Sequence, residues 1–273
     1  MKFAVCNEIF KELQWKDICD FVSTLGYEGV EIAPFSIIDD VRNIEERRVG
    51  EIRRVAEETG LAIIGLHWLL ASPPGLHINH PDPSVRSETV DYMKQLIKFC
   101  KTLGGWLMVL GSPKQRMILP GVSKEDAWRW TKEFLLKVLD DAEKSGVFIC
   151  IEPLSPQETN FINTAEEAVY IIEEISHPNL KLHLDVKAMS SEKENIEDII
   201  RKNARYLKHF HANDASGRGP GLGDTDFRPI VRALKEINYD GYISVEIFDT
   251  YPSPEISAQK SLEYLKEVTG YED

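Results

Sequence analysis

VFICIEPLSPQETNFINTAEEAVYIIEEISHPNLKLHLD, residues 147–185, is the stretch whose reading decides the fold. It opens on a short apolar run, Val147–Glu152, closed by Pro153. Thr164 then precedes Glu166 and Glu167, which puts a capping hydroxyl and two acidic groups at the positive end of a helix near 164–175. A second apolar run follows at Leu180–Val186. Strand, helix, strand in that order implies parallel pairing, because a parallel crossover needs a helix to return the chain.

The same unit recurs on both sides. Further strand candidates are Phe3–Asn7, Gly29–Ala33, Ala62–Trp68, Trp106–Gly111, Leu207–Asn213 and Tyr242–Phe248. Helical patterns lie near 15–25, 45–59, 84–103, 123–145, 194–205, 226–237 and 255–268. Leu25-Gly26, Thr59-Gly60, Leu103-Gly104 and Ser145-Gly146 mark helix ends, and Ser123 ahead of Glu125 and Asp126 marks a start. Eight units in 273 residues, about 34 each, match a closed (β/α)8 barrel spanning 1–273 as one domain. A doubly wound sheet is the alternative. It would use fewer strands and a glycine-rich first turn, and Glu8-Ile9-Phe10-Lys11 has no glycine.

Composition narrows the partners. Net charge is −13 and the pI is near 5.1, which offers no basic surface for a phosphate backbone. The four cysteines lack CxxC spacing and read as reduced, buried small hydrophobes. No apolar run reaches the ~20 residues of a membrane span, and MKFAVCNEIF is too polar for a signal peptide. The expectation is a cytoplasmic protein acting on a small molecule, with no nucleic-acid or membrane partner; a homo-oligomer stays open.

The chemistry lies in the second half. Strand five ends in Glu152, strand six in Asp185, strand seven carries His211 and strand eight Glu246, at spacings of 33, 26 and 35 residues. In a parallel barrel those ends share one rim, so four remote side chains converge. Three converging carboxylates repel and lose hydration, and a divalent cation removes that penalty. Three carboxylates with one imidazole suit Mn²⁺, Mg²⁺, Co²⁺ or Zn²⁺. Cys150, His183, His209 and Ser244 lie two residues earlier on the same strands and point inward below the ligands. His183 and His209 either orient the ligands or sit as satisfied interior histidines.

Several fragments, in order and at barrel spacing, carry a resemblance over nearly the whole chain. They are Gly26-Tyr27-Glu28-Gly29-Val30-Glu31, Gly65-Leu66-His67, Gly111-Ser112-Pro113-Lys114-Gln115-Arg116, Ile151-Glu152-Pro153-Leu154, Glu158-Thr159-Asn160-Phe161, Leu184-Asp185, His211-Ala212-Asn213-Asp214, Pro220-Gly221-Leu222-Gly223 and Val245-Glu246. The sequence resembles the xylose isomerase-like TIM-barrel superfamily, within it the sugar (phosphate) isomerase/epimerase group of the D-tagatose 3-epimerase kind. The resemblance implies one metal, Mn²⁺ first, held by Glu152, Asp185, His211 and Glu246. It also implies Glu152 and Glu246 as paired bases that move a proton α to a carbonyl through an enediolate, and Glu158 near the substrate. The group often continues strand six as Asp-x-x-His, whereas Asp185-Val186-Lys187-Ala188 has alanine there.

His67 and Arg116, at the ends of strands three and four, are candidate substrate contacts, as is Arg218 in the glycine-rich loop 216–224; Lys114 is a weaker candidate, and Asp224 is expected to hold that loop. The expected activity is a ketose 3-epimerase or aldose–ketose isomerase on a sugar or polyol-derived substrate. A dehydratase of the inosose or dehydroshikimate type uses the same intermediate and is the nearest rival. An endonuclease IV-like nuclease needs more histidines and a basic face, and a non-catalytic sugar-binding barrel needs no paired bases.

Overall fold

A computed structural model describes residues 1–271 of the chain. Eight parallel strands close into a barrel in sequence order. They are β1 (Lys2–Cys6), β2 (Gly29–Ile32), β3 (Ala62–Leu66), β4 (Leu107–Leu110), β5 (Phe148–Ile151), β6 (Leu180–Asp185), β7 (Leu207–Ala212) and β8 (Tyr242–Val245). β8 returns to pair in parallel with β1, Ala4 opposite Ser244, so no strand edge is left open. The main crossover helices are α1 (Trp15–Leu25), α2 (Glu46–Glu58), α3 (Pro83–Leu103), α4 (Lys124–Ser145), α5 (Ala165–Ile175), α6 (Ile196–Lys202), α7 (Phe227–Glu236) and α8 (Pro254–Thr269).

The local signals act as the sequence predicts. Thr164 Oγ1 accepts the Glu167 N–H at 3.1 Å and Ser123 Oγ that of Asp126 at 3.0 Å, caps worth about 1 kcal/mol each. Gly26, Gly104 and Gly146 end α1, α3 and α4 in the left-handed region, which glycine enters without steric penalty. The strands stop one to three residues before the expected ends, so Glu152 and Glu246 stand just past β5 and β8. α6 is shorter than the pattern at 194–205 suggested.

One large apolar core fills the space between strands and helices, while Leu107, Val109 and Cys150 form a small separate cluster with Trp106 and Phe148 packed against it. All four cysteines are free and buried. Among the described residues no helix is long and apolar enough to cross a membrane.

Candidate active site

Alternation along each strand sends every second side chain into the barrel. At the C-terminal rim this brings ligand atoms of Glu152, Asp185 and His211 within 4.8 Å of one another, with Glu246 beside His211, and the four are 7%, 4%, 1% and 5% exposed in the order Glu152, Asp185, His211, Glu246. Glu152, His211 and Glu246 line a cavity of about 370 Å³, mouth included, with His67, Trp68, Gly111, Ser112, Glu158 and Phe248 among the other walls. Trp68 and Ser112 hold left-handed backbones, φ 53° and 45°, a conformation that side chains other than glycine adopt against strain and that collects at functional sites.

Each acidic group is aimed by its surroundings. Asp185 Oδ1 accepts the Ala188 N–H at 2.7 Å, and Oδ2 accepts Asn213 Nδ2 at 2.6 Å. At the position where the related motif carries histidine, Ala188 supplies only its backbone N–H to the aspartate. Glu152 lies over Gly111, where a Cβ would stand 2.1 Å from Glu152 Oε2. The missing side chain is what makes room for the carboxylate. Glu246 Oε2 lies 3.1 Å from His211 Nδ1.

The electrostatics follow from burial and crowding. Burial, with the charges of Glu246 and Asp185 beside it, pushes Glu152 well above the usual carboxylate range. Burial and Glu246 likewise raise Asp185 to about 6. Burial also works against ionisation of Glu246, but the His211 ring outweighs it and holds Glu246 low. Excess negative charge in so dry a place calls for a cation. The donor set fits one. Glu152, Asp185 and His211, with His183, each offer an atom within 4.8 Å of the others. The 3.1 Å between His211 Nδ1 and Glu246 Oε2 is close to the edge of an octahedron with bonds of about 2.1 Å. His183 belongs to that close set, yet it is fully buried, its ring packs on His211 at 4.1 Å and its Nε2 lies 3.6 Å from Glu152 Oε1. Glu246 lines the cavity and His183 does not.

The remaining expected residues divide. Glu158 lines the cavity; its Oε2 accepts the Ser155 hydroxyl at 2.7 Å and its Oε1 pairs with Lys187 Nζ at 2.7 Å. Lys187 also lies over the Phe248 ring at 4.9 Å, so it belongs to the rim of the cavity. His67 lines the cavity with its Nε2 2.7 Å from Glu8 Oε2. Arg116 is taken away from the expected substrate contact. It is buried, and its guanidinium donates to the carbonyls of Leu110, Glu152 and Ile162, pinning the end of β5 to the loop that follows. Lys114 does not line the cavity. Arg218 is also outside the cavity walls, with Nε 3.2 Å from Asp249 Oδ2 and its guanidinium over Tyr251. The loop after β7 is held by Asp214 rather than Asp224. Asp214 accepts the Ser216 and Thr225 N–H groups, each at 2.8 Å, and these donors outweigh burial to bring its pKa to about 2. Gly223 lets the loop close on that carboxylate, since a Cβ there would stand 2.1 Å from Asp214 Cγ.

Sequence reasoning gave no role to Glu31, Glu8 or Asn213. Glu31 had a visible signal, a carboxylate inside the apolar strand Gly29-Val30-Glu31-Ile32 at a position facing the interior. Asn213 lies two residues beyond His211 on the same strand run, so the same alternation sends it to the rim.

Comparison with known proteins agrees with this fold. The chain is 28% identical over 243 residues to D-psicose 3-epimerase from Ruminiclostridium cellulolyticum, covering 87% of this chain and 79% of that protein. It is 26% identical over 254 residues to fructoselysine 3-epimerase from Shigella flexneri, covering 89% of each. A crystal structure of D-psicose 3-epimerase with D-tagatose from Clostridium cellulolyticum H10 superposes with a TM-score of 0.86 at 23% identity, over 98% of this chain and 99% of that one. These relatives are named as epimerases, isomerase-class enzymes. The family model described as xylose isomerase-like TIM barrel matches residues 19–268. With eight strands closed in order and the family model matched over most of its length, the chain belongs to the xylose isomerase-like TIM barrel family.

Proposed function

We propose that the protein is a metal-dependent ketose 3-epimerase with Glu152 and Glu246 as its two proton-transfer groups. The observation that carries this reading is the split between them. Both line one cavity, where burial and neighbouring carboxylates raise Glu152 above the usual carboxylate range while His211 lowers Glu246. Two carboxyl groups pushed apart in this way make an acid and a base.

Glu152, Asp185, His211 and Glu246 would hold one divalent ion, Mn²⁺ by preference, which supplies Lewis-acid polarisation of the carbonyl and stabilises the developing oxyanion. The Glu246 carboxylate takes the proton from C3. The C–H electron pair becomes the C2–C3 double bond, and the carbonyl pair moves to O2, giving an enediolate. The Glu152 carboxyl returns a proton to the other face of C3, and the O2 pair restores the carbonyl. The reverse reaction exchanges the two roles. Glu158, held by Ser155 and Lys187 at the cavity wall, would bind a substrate hydroxyl. Trp68, Leu154 and Phe248 wall the cavity with apolar surface that keeps water from the enediolate. The free cysteines fit a reducing, cytoplasmic location.

Incubation of the Mn²⁺-loaded protein with D-psicose, D-fructose, L-ribulose and D-tagatose in D₂O tests the reading. Deuterium at C3 with inversion and an intact skeleton is expected. Loss of water, as in a dehydratase, or no exchange with any ketose contradicts it.

A further inference from the structure

Beneath the rim, Glu31 of β2 is fully buried at a point where the β2–β3 register shifts. Its Oε2 lies 2.8 Å from His209 Nε2 and 3.1 Å from His211 Nε2, while its Oε1 has no hydrogen-bond partner, the nearest imidazole atom being His67 Nδ1 at 3.9 Å. Apart from a long contact from the Cys6 thiol at 3.9 Å, the hydrogen bonds of this carboxylate go to the histidines of β7. An ionised carboxylate can only accept, so both Nε2 atoms must carry the hydrogen. A neutral imidazole with hydrogen on Nε2 has its lone pair on Nδ1. On His211 that lone pair faces Glu246 Oε2 at 3.1 Å. Two acceptors at that distance repel unless a proton on Nδ1, as in the imidazolium that holds Glu246 low, or a metal ion in its place lies between them.

Resting on the metal reading above, we propose that Glu31 is a positioning residue that fixes His211 as an Nδ1 metal ligand by claiming the proton of its Nε2. The arrangement extends the rim site downward by one layer. β7 supplies the ligand, and β2, on the far side of β8 and β1, decides which of its nitrogens faces the ion. Nothing else among the described contacts does this. The other group near His211 Nε2 is Cys6 Sγ at 3.9 Å, a weak donor and acceptor that does not dictate a tautomer. His183 meets the ring of His211 but has no hydrogen-bond partner on either nitrogen. Carboxylates that orient a ligating histidine typically change metal affinity by about 10–100-fold when removed.

The test uses Glu31→Gln, which keeps the shape but brings a donor beside two N–H groups. Calorimetric titration of metal-free protein with Mn²⁺ is expected to show binding weakened by about 10–100-fold against wild type, with circular dichroism unchanged. Affinity within twofold of wild type overturns the inference and leaves the metal reading intact. Wild-type protein that binds no Mn²⁺ removes the metal reading itself. Should Glu31→Gln not fold, ¹⁵N NMR of the wild-type histidines loaded with Zn²⁺ decides. A hydrogen on His211 Nε2 supports the assignment, and one on Nδ1 overturns it.

Discussion

The two halves of the barrel do different work. β5 to β8 each bring one charged or metal-competent side chain to the rim: Glu152, Asp185, His211 and Glu246. β1 to β4 bring none of the quartet. They contribute space at Gly111, a cavity wall at His67 and Trp68, and a buried anion at Glu31. One half concentrates negative charge, and the other makes that concentration tolerable by shape and orientation. A site of this kind is thus more than its ligands, and the two halves fail differently when changed.

Removing charge from the ligand half has the largest expected effect. Glu152→Gln and Glu246→Gln should each lower kcat by at least about 10³-fold, since each loses a proton-transfer group and a ligand together. Near wild-type turnover in either variant would break the comparison at its stronger side. Next comes Gly111→Ala in the supporting half. Its methyl group collides with the Glu152 carboxylate and should lower kcat by about 10²-fold through misplacement alone, while circular dichroism stays that of a folded barrel. An active Gly111→Ala enzyme would show that the supporting half merely fills space.

Metal binding should depend on pH through the ligand half. Burial raises Asp185 to about 6 and Glu152 well above the usual carboxylate range, so the metal-free protein holds protons there that the unfolded chain would release. In the metal-free form these two groups therefore favour folding at low pH, and the Asp185 contribution is lost as pH rises through about 6. A bound ion displaces the Asp185 proton, so its affinity should fall by about tenfold per pH unit below pH 6. The thermal shift produced by saturating Mn²⁺ should accordingly be larger at pH 7.5 than at pH 5.5, and an equal shift would contradict the assignment of these groups. Lys187→Met should have the smallest effect. It frees Glu158 from a half-buried pair and should raise KM several-fold, on the order of 1 kcal/mol, with kcat nearly unchanged.

The sequence made the ligand half legible because each of its residues closes an apolar run, and runs repeated at barrel spacing must converge. Support was harder to read. Arg116 looked like a rim cation, but its partners are three carbonyls, and carbonyls leave no mark in a side-chain pattern. Arg218 looked like a substrate contact, yet its partner Asp249 lies in another loop, a pairing that no spacing rule predicts. Asp214 and Asp224 sit in one loop, and only the geometry, closed at Gly223, decides which takes the backbone donors. Glu31 could have been found by alternation alone. Its work, however, is directed at His211 on a strand that is not its neighbour, which is a property of closure.

The central claim is that folding gathers four residues of the second half around one ion. An anomalous difference map from crystals of the Mn²⁺-loaded protein tests it most directly. The account predicts one strong peak within bonding distance of Glu152, Asp185, His211 Nδ1 and Glu246. A peak bounded by other residues, or no peak in crystals of protein that turns over ketoses, would contradict it.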